Sequence, residues 1–181
     1  MKLPTNHALS AIEPTQWFNA THDNATDQEG RVFVLGTFQM LCPGCVTNSL
    51  PQLQRIYDHF DRQLVSVIGL HTVFEHHAAM TPVSLAAFIN EYRLTFPIAV
   101  DGHDDKDGPS ISMKLLGLRG TPSLLLIDHK GQIRLQQFGH VSDLVVGAAI
   151  QRLIDDVQLD AAILGGDSES EGVCTVGGGC K

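Results

Sequence analysis

Cys42-Pro43-Gly44-Cys45 is the stretch of this 181-residue chain whose residue types and spacing most plainly imply chemistry. A strand-like run, Arg31-Val32-Phe33-Val34-Leu35-Gly36, leads into it, and an amphipathic run from Val46 to Phe60 leads out. Two cysteines two residues apart, where a strand feeds a helix, are the signature of dithiol–disulfide exchange. The thiolate is the nucleophile in such exchange, so the attacking cysteine needs a site that favours an anion. Cys42 falls just ahead of a helix N-terminus, where free backbone N–H groups and the positive end of the dipole supply one. Pro43 suits a first helical turn because it has no donor to waste there. Cys42 is therefore expected to attack and Cys45, one turn on and shielded, to resolve.

Other uses of these residues are weaker. A buried structural pair seldom sits as CxxC at a strand–helix junction. A structural zinc site needs four ligands, and the only other cysteines, Cys174 and Cys180, lie far along the chain. His71, Glu75, His76 and His77 invite a metal reading, but adjacent histidines point to one ion only if the backbone turns sharply. In the acidic loop Asp101 to Gly108, His103, Asp105, Asp107 and Gly108 approximate a calcium loop. Its first ligand position is His, however, and Lys114 stands where the bidentate Glu belongs, so calcium is rejected. No metal is expected, and no cofactor beyond a redox-active Cys42–Cys45 disulfide.

The elements that must position the dithiol follow from the pattern around it. Val32–Phe38 is an apolar run suited to a strand buried on both faces. Val46, Leu50, Leu53, Tyr57 and Phe60 form a helical stripe, with Pro51 inside it as an expected kink. Leu64–Leu70 is the next strand, parallel to the first through a βαβ connection. Thr81-Pro82 opens a helix with Leu85, Phe88, Ile89 and Tyr92 on its buried face. Pro97–Val100 is a short strand, and a short helix covers Pro109 to Leu116. Gly120-Thr121-Pro122 precedes a strand over 123–128, and His129-Lys130-Gly131 turns the chain into an antiparallel strand over Gln132–Phe138. Ser142 caps a last helix with Leu144, Ala148, Leu153 and Ile154 as its apolar positions. In the loose lead-in, residues 1–30, Trp17-Phe18 is the one strongly apolar pair, expected to pack onto the domain.

Composition limits what this assembly can be. An apolar content of 43% supports an ordinary core. Mean hydropathy of +0.04 leaves no excess for membrane spans. A net charge of -8 disfavours nucleic acid and anionic membrane surfaces as partners. The sequence shows no apolar leader near Met1, which favours the cytoplasm, or the periplasm if a leader was removed. One domain is expected over 1–158, with its core at about 31–156. Residues 159–181 read as a flexible Gly/Ser-rich tail carrying Cys174 and Cys180.

Over roughly residues 11–156 the chain resembles the thioredoxin superfamily. It is most similar to the TlpA/ResA-like branch, which overlaps with the redoxin and AhpC/TSA families. Trp17-Phe18-Asn19, the CxxC, the second strand with its helix, and Gly120-Thr121-Pro122 ahead of Leu126-Ile127-Asp128-x-x-Gly131 carry the match. Three departures stand out. Leu41 replaces the usual Trp, the intervening pair is Pro-Gly, and Pro51 lies six residues after Cys45 where five is typical, which suggests a bulge at the helix start.

The resemblance implies a thioredoxin-like α/β fold: a central mixed β-sheet flanked by helices, with an N-terminal extension and the C-terminal tail. It implies a cis bond at Pro122 facing the cysteines, with Pro43, Gly44, Thr121 and Pro122 forming the substrate-binding rim. His71 ends the second strand near where reductases of this branch carry an acid that assists proton transfer. His71, or the nearest acid Glu75, is thus a candidate proton carrier for Cys45, against the plainer reading of a solvent-facing loop histidine. Cys174 and Cys180, with five residues between them, could act as a redox shuttle or do nothing.

The implied activity is thiol–disulfide oxidoreduction on a disulfide-containing protein or small-thiol substrate, with a separate electron donor. A peroxiredoxin-type thiol peroxidase is the alternative; Gln39 and Leu35 stand where that family places Thr and Pro. A non-catalytic thioredoxin-like binding module is the third reading.

Overall fold

The structure, a computed structural model, describes residues 12, 14–20, 30–104 and 108–165. Six strands form one sheet: β1 (Pro14–Phe18), β2 (Val32–Phe38), β3 (Val65–His71), β4 (Ile98–Asp101), β5 (Ser123–Ile127) and β6 (Ile133–Phe138). Their order is β1-β4-β3-β2-β5-β6. β2 runs parallel to β3, and β3 to β4. β1, β5 and β6 run antiparallel to their neighbours, which makes the sheet mixed as expected. The helices are α1 (Leu50–His59), α2 (Pro82–Glu91), α3 (Ile111–Leu116) and α4 (Asp143–Gly165).

β2 and β3 are buried along their whole length. Alternation sends successive side chains to opposite faces, so each central strand feeds two cores. Val32, Val34 and Phe38 pack with Leu50, Leu53, Leu85, Val146 and Ile150, so α1, α2 and α4 lie on one face. Phe33 and Leu35 pack with Ile68, Leu125, Ile127, Leu116 and Ile12 on the other. Gly36 shows how closely α1 approaches the sheet: a Cβ there would lie 2.4 Å from Leu53 Cδ1. Thr81 caps α2 as expected, its hydroxyl accepting from Ser84 N–H at 3.3 Å.

The bulge expected at the helix start is present, and two expectations about the last helix are corrected. Pro51 lies in a helical run that is continuous from residue 43 to His59. A five-residue π-turn, Cys45–Ser49, precedes α1, and Leu50 N–H donates to Cys45 O five residues back. A π-turn holds one residue more than an α-turn, which is the extra residue between Cys45 and Pro51. Pro51 then falls two residues past the π-turn, with helical backbone on both sides of it.

On α4, Leu144 is 78% exposed and Ala148 is also exposed; the buried face is Val146, Ile150, Leu153 and Ile154. That helix also runs on to Gly165, beyond the expected domain end at residue 158. Hydrogen bonds hold the far part in place: His129 Nε2 lies 3.1 Å from Asp160 Oδ2, and Lys130 Nζ lies 2.5 Å from the same oxygen. No helix among the described residues is long and apolar enough to cross a membrane.

Candidate active site

The sheet brings the dithiol and the Thr-Pro turn together. β2 delivers Cys42 beyond its C-terminal end, and the antiparallel β5 starts at that same edge, with Thr37 opposite Ser123. Ser123 N–H donates to Thr37 Oγ1 at 3.1 Å, and Ser123 Oγ donates to Gly120 O at 2.7 Å. These bonds fix the turn that contains Thr121 and Pro122. The Thr121–Pro122 bond is cis. Pro122 O accepts from Gly139 N–H at 2.8 Å, which ties the turn to the end of β6.

The two cysteines have different surroundings. Both are free thiols; Cys42 is half-buried and Cys45 fully buried. Cys42 O accepts from Cys45 N–H at 3.0 Å and from Val46 N–H at 3.1 Å, which opens the helical turn directly after the first cysteine. Cys45 N–H also lies 3.3 Å from Cys42 Sγ, so a backbone donor points at the sulfur expected to carry negative charge. Cys42 Sγ sits 3.6 Å from Thr121 O as a donor to that carbonyl.

Burial pushes the Cys45 thiol up to about 12, and the Cys42 side chain adds to the shift. The Gln39 backbone and the Thr121 side chain oppose it by favouring the thiolate. Gly44 leaves the surface open opposite the cis-proline: a Cβ there would meet Pro122 Cδ at 3.5 Å, an ordinary contact distance. Pro43 and the adjoining Leu41 are exposed beside Cys42.

Cys42, Cys45, Pro43, Gly44, Thr121 and Pro122 thus converge. His71 and Glu75 do not join them by hydrogen bonds. His71 ends β3 as expected, but its side chain is taken into the core rather than left on a solvent-facing rim. Its ring packs 5.3 Å from that of Phe38. Neither ring nitrogen has a hydrogen-bond partner among the described residues. Burial first, and the nearby His103 second, lower its pKa to about 4, so it is neutral at neutral pH. Glu75 is exposed in the loop after β3. Cys174 and Cys180 lie outside the described residues, as do Asp105 and Asp107 of the acidic loop.

One residue of the site carried no positive signal in the sequence reading. Gln39 enters there only as a mismatch to the peroxidase pattern, yet it is buried between three parts of the site. Its carbonyl accepts from Cys42 N–H at 3.2 Å. Its side-chain Oε1 accepts from Phe74 N–H at 3.2 Å, and its Nε2 donates to Thr121 Oγ1 at 3.4 Å. The available clue was a long amide directly after a buried, largely apolar strand, a place where a buried polar group needs partners.

A mixed sheet of this order, a strand-to-helix CxxC and a facing cis-proline define a thioredoxin-like fold with a dithiol site. The AhpC/TSA family model matches residues 14–136, and the chain belongs to that family within the thioredoxin superfamily. Among solved structures, a thioredoxin-like superfamily protein is 48% identical, with a TM-score of 0.75, covering 79% of this chain and 93% of that one. A thiol-disulfide isomerase from Corynebacterium glutamicum is 46% identical, with a TM-score of 0.74 and the same coverages of 79% and 93%. A thioredoxin-like protein in its oxidised form, at 17% identity and a TM-score of 0.63, shares the fold over 82% of this chain and 99% of that one. No curated protein matches the chain. The family supports a thiol–disulfide oxidoreductase role in general terms.

Proposed function

We propose that Cys42 and Cys45 form the redox-active dithiol of a thiol–disulfide oxidoreductase, with Cys42 attacking and Cys45 resolving. The observation that carries this reading is the asymmetry of the pair. Cys42 is the accessible sulfur, with the Cys45 N–H aimed at it and the Thr121 carbonyl beside it. Cys45 is enclosed one turn behind and held protonated by burial.

In the reducing direction, Cys42 thiolate attacks a substrate disulfide R–S–S–R′. A Cys42–S–S–R bond forms and R′ leaves as a thiolate. Cys45 then attacks Cys42 Sγ, the Cys42–S–S–R bond breaks, and RSH leaves with the proton that Cys45 gives up. Two electrons pass from the dithiol to the substrate, leaving a Cys42–Cys45 disulfide. A separate thiol or dithiol donor restores the reduced pair, and the same steps reversed would oxidise a substrate. No cofactor takes part. The substrate is a disulfide-containing protein or small molecule, seated against Pro43, Gly44, Thr121 and Pro122. His71 and Glu75 are assigned no step.

The peroxidase reading is less well supported, because the position three before Cys42 presents a bound amide rather than a hydroxyl. Gln39 is engaged by Phe74 and Thr121, and Leu35 is enclosed in the core. Reduction of insulin disulfides by dithiothreitol should be accelerated by the wild type and return to the uncatalysed rate in Cys42→Ala. A wild type inert toward insulin that consumes peroxide would establish the peroxidase instead.

A further inference from the structure

We propose that Arg119 is a specificity-determining residue of the dithiol site, selecting peptide disulfides that carry a carboxylate side chain beside the reacting cysteine. The inference rests on the attacking role given above to Cys42 and names the substrate class that the same site prefers.

The segments that build the site are almost free of charge. From Val32 to Gln54, through β2, the CxxC and the start of α1, the sequence has no acidic, basic or histidine side chain. Gly120 to Ile127, the cis-proline turn and β5, has none either. Leu135 to Ser142, from the end of β6 to the start of α4, has only His140. The next carboxylate, Asp143, is already engaged by Arg55 and Gln52. Arg119, immediately before the turn, is the fixed charge nearest to it in sequence, in a chain whose net charge is -8.

The fold holds this cation at the rim. Phe138 ends β6 opposite Ser123, and its ring lies against Gly120: a Cβ on Gly120 would come within 3.1 Å of Phe138 Cε2. The Phe138 side chain is 45% exposed. The Arg119 guanidinium lies 5.3 Å from the ring centre, near enough to be attracted to its face. From there the path to the attacking sulfur is short. Gly120 joins Arg119 to Thr121, whose carbonyl is 3.6 Å from Cys42 Sγ. Two trans peptide steps place the Arg119 Cα within about 8 Å of the Thr121 Cα.

The chemistry of the group fits a carboxylate. Among the described residues the Arg119 guanidinium has no carboxylate partner, whereas Arg55, Lys114 and Arg134 each have one. A guanidinium presents a planar fork of N–H donors that matches the two oxygens of a carboxylate. Its place over Phe138 restricts the side chain before a substrate arrives, so less freedom is lost on binding. The rim is also asymmetric. The sheet order puts β3 on one side of β2 and β5 with β6 on the other. The exposed acid Glu75 follows β3. A peptide crossing the dithiol therefore meets a carboxylate on one side and a cation on the other, and its own acidic residue is drawn to the β6 side.

The test uses the full chain with Cys174→Ser and Cys180→Ser, so that only the site thiols react. The probes are end-capped pentapeptides whose central cysteine is joined by a disulfide to 2-thiopyridine, with glutamate, glutamine or lysine on both flanks. Capping leaves the flanking side chains as the source of peptide charge. Cys42 thiolate attacks the peptide sulfur and a Cys42–S–S–peptide bond forms. The bond to the pyridyl sulfur breaks, and 2-thiopyridone leaves with a proton taken from water. Each second-order rate is divided by the same protein's rate with iodoacetamide, which cancels any change in the thiol itself.

At low ionic strength the wild type should favour the acidic peptide over the amide one by about fivefold, the upper range for an exposed ion pair. The basic peptide should react slowest, and the preference should shrink at high salt. Arg119→Gln should abolish the acidic preference, Arg119→Lys should keep part of it, and Arg119→Glu should reverse the order in favour of the basic peptide. Phe138→Leu keeps an apolar contact for Gly120 but removes the ring face, and should weaken the preference without reversing it.

Equal rates for the acidic and amide peptides in the wild type, or an acidic preference that survives in Arg119→Gln, would overturn the specificity role while leaving attack by Cys42 intact. Release of 2-thiopyridone at an undiminished rate by Cys42→Ala, or no release by the wild type, would overturn the dithiol reading, and the specificity role with it.

Discussion

Cys45 and His71 invite direct comparison. Both lie toward the C-terminal edge of the central parallel strands, both are fully enclosed, and both border the same core around Phe38. Burial drives each toward its neutral form, Cys45 up to about 12 and His71 down to about 4. They differ in what they touch. Cys45 faces the sulfur it would join, together with a backbone group and a hydroxyl that favour its anion. His71 meets an aromatic ring and lies near a second histidine, with no hydrogen-bond partner for either nitrogen among the described residues. A titratable group at the chemical edge of a sheet becomes useful through its neighbours, and on that measure the thiol is placed for proton exchange and the imidazole is not.

The largest effect expected from this contrast is on stability in acid. The folded-state pKa of His71 lies below its ordinary 6.5, so the unfolded chain binds the proton more readily. The contribution is fully present above about pH 6.5 and is lost as pH falls through 4, a change of about 3 kcal/mol. Urea unfolding of wild type and His71→Leu at neutral pH and near pH 4 should show the wild type losing about that much more than the variant. Turnover per folded molecule should be unchanged. Parallel stability profiles together with a turnover loss in His71→Leu would break the comparison and restore the imidazole as a proton carrier.

A smaller effect comes from a titratable group at the surface. Arg55 Nε lies 2.9 Å from Asp143 Oδ2, and Gln52 Nε2 lies 2.6 Å from Asp143 Oδ1, joining α1 to the start of α4. The Arg55 and Gln52 hydrogen bonds hold the Asp143 carboxyl below its ordinary range, but the pair is exposed to water. Arg55→Ala should therefore cost less than about 1 kcal/mol in the same unfolding assay. A loss as large as the acid effect at His71 would mean that exposure does not separate the two kinds of site.

Strands β2 to β6 were legible from local sequence, and the cis-proline turn from the resemblance that Gly120-Thr121-Pro122 carries. Val32–Phe38 is apolar but for Thr37, and Thr121-Pro122 precedes an apolar strand. The π-turn was half legible: the extra residue between Cys45 and Pro51 signalled an irregularity but not its form. The buried face of α4 was misread because Leu144, Val145, Val146, Ala148 and Ala149 spread apolar residues around much of the first turns. Tertiary packing, not periodicity, chose Val146 and Ile150. His71 ends β3 as expected, but its enclosure was not legible because the core around it is closed by residues distant in sequence, His103 among those nearby. Gln39 was missed for a deeper reason: its side-chain partners, Phe74 and Thr121, are 35 and 82 residues away. Local pattern carries no trace of a contact closed by the sheet.

The division of labour between the two sulfurs is tested most directly by trapping. Cys45→Ala and Cys42→Ala proteins, each with Cys174→Ser and Cys180→Ser, would be exposed to a disulfide-bonded peptide, quenched in acid and examined by mass spectrometry without reduction. Cys45→Ala should accumulate a peptide adduct on Cys42, and Cys42→Ala should show none. An adduct on Cys45 in the Cys42→Ala protein, with none on Cys42 in its counterpart, would contradict the account.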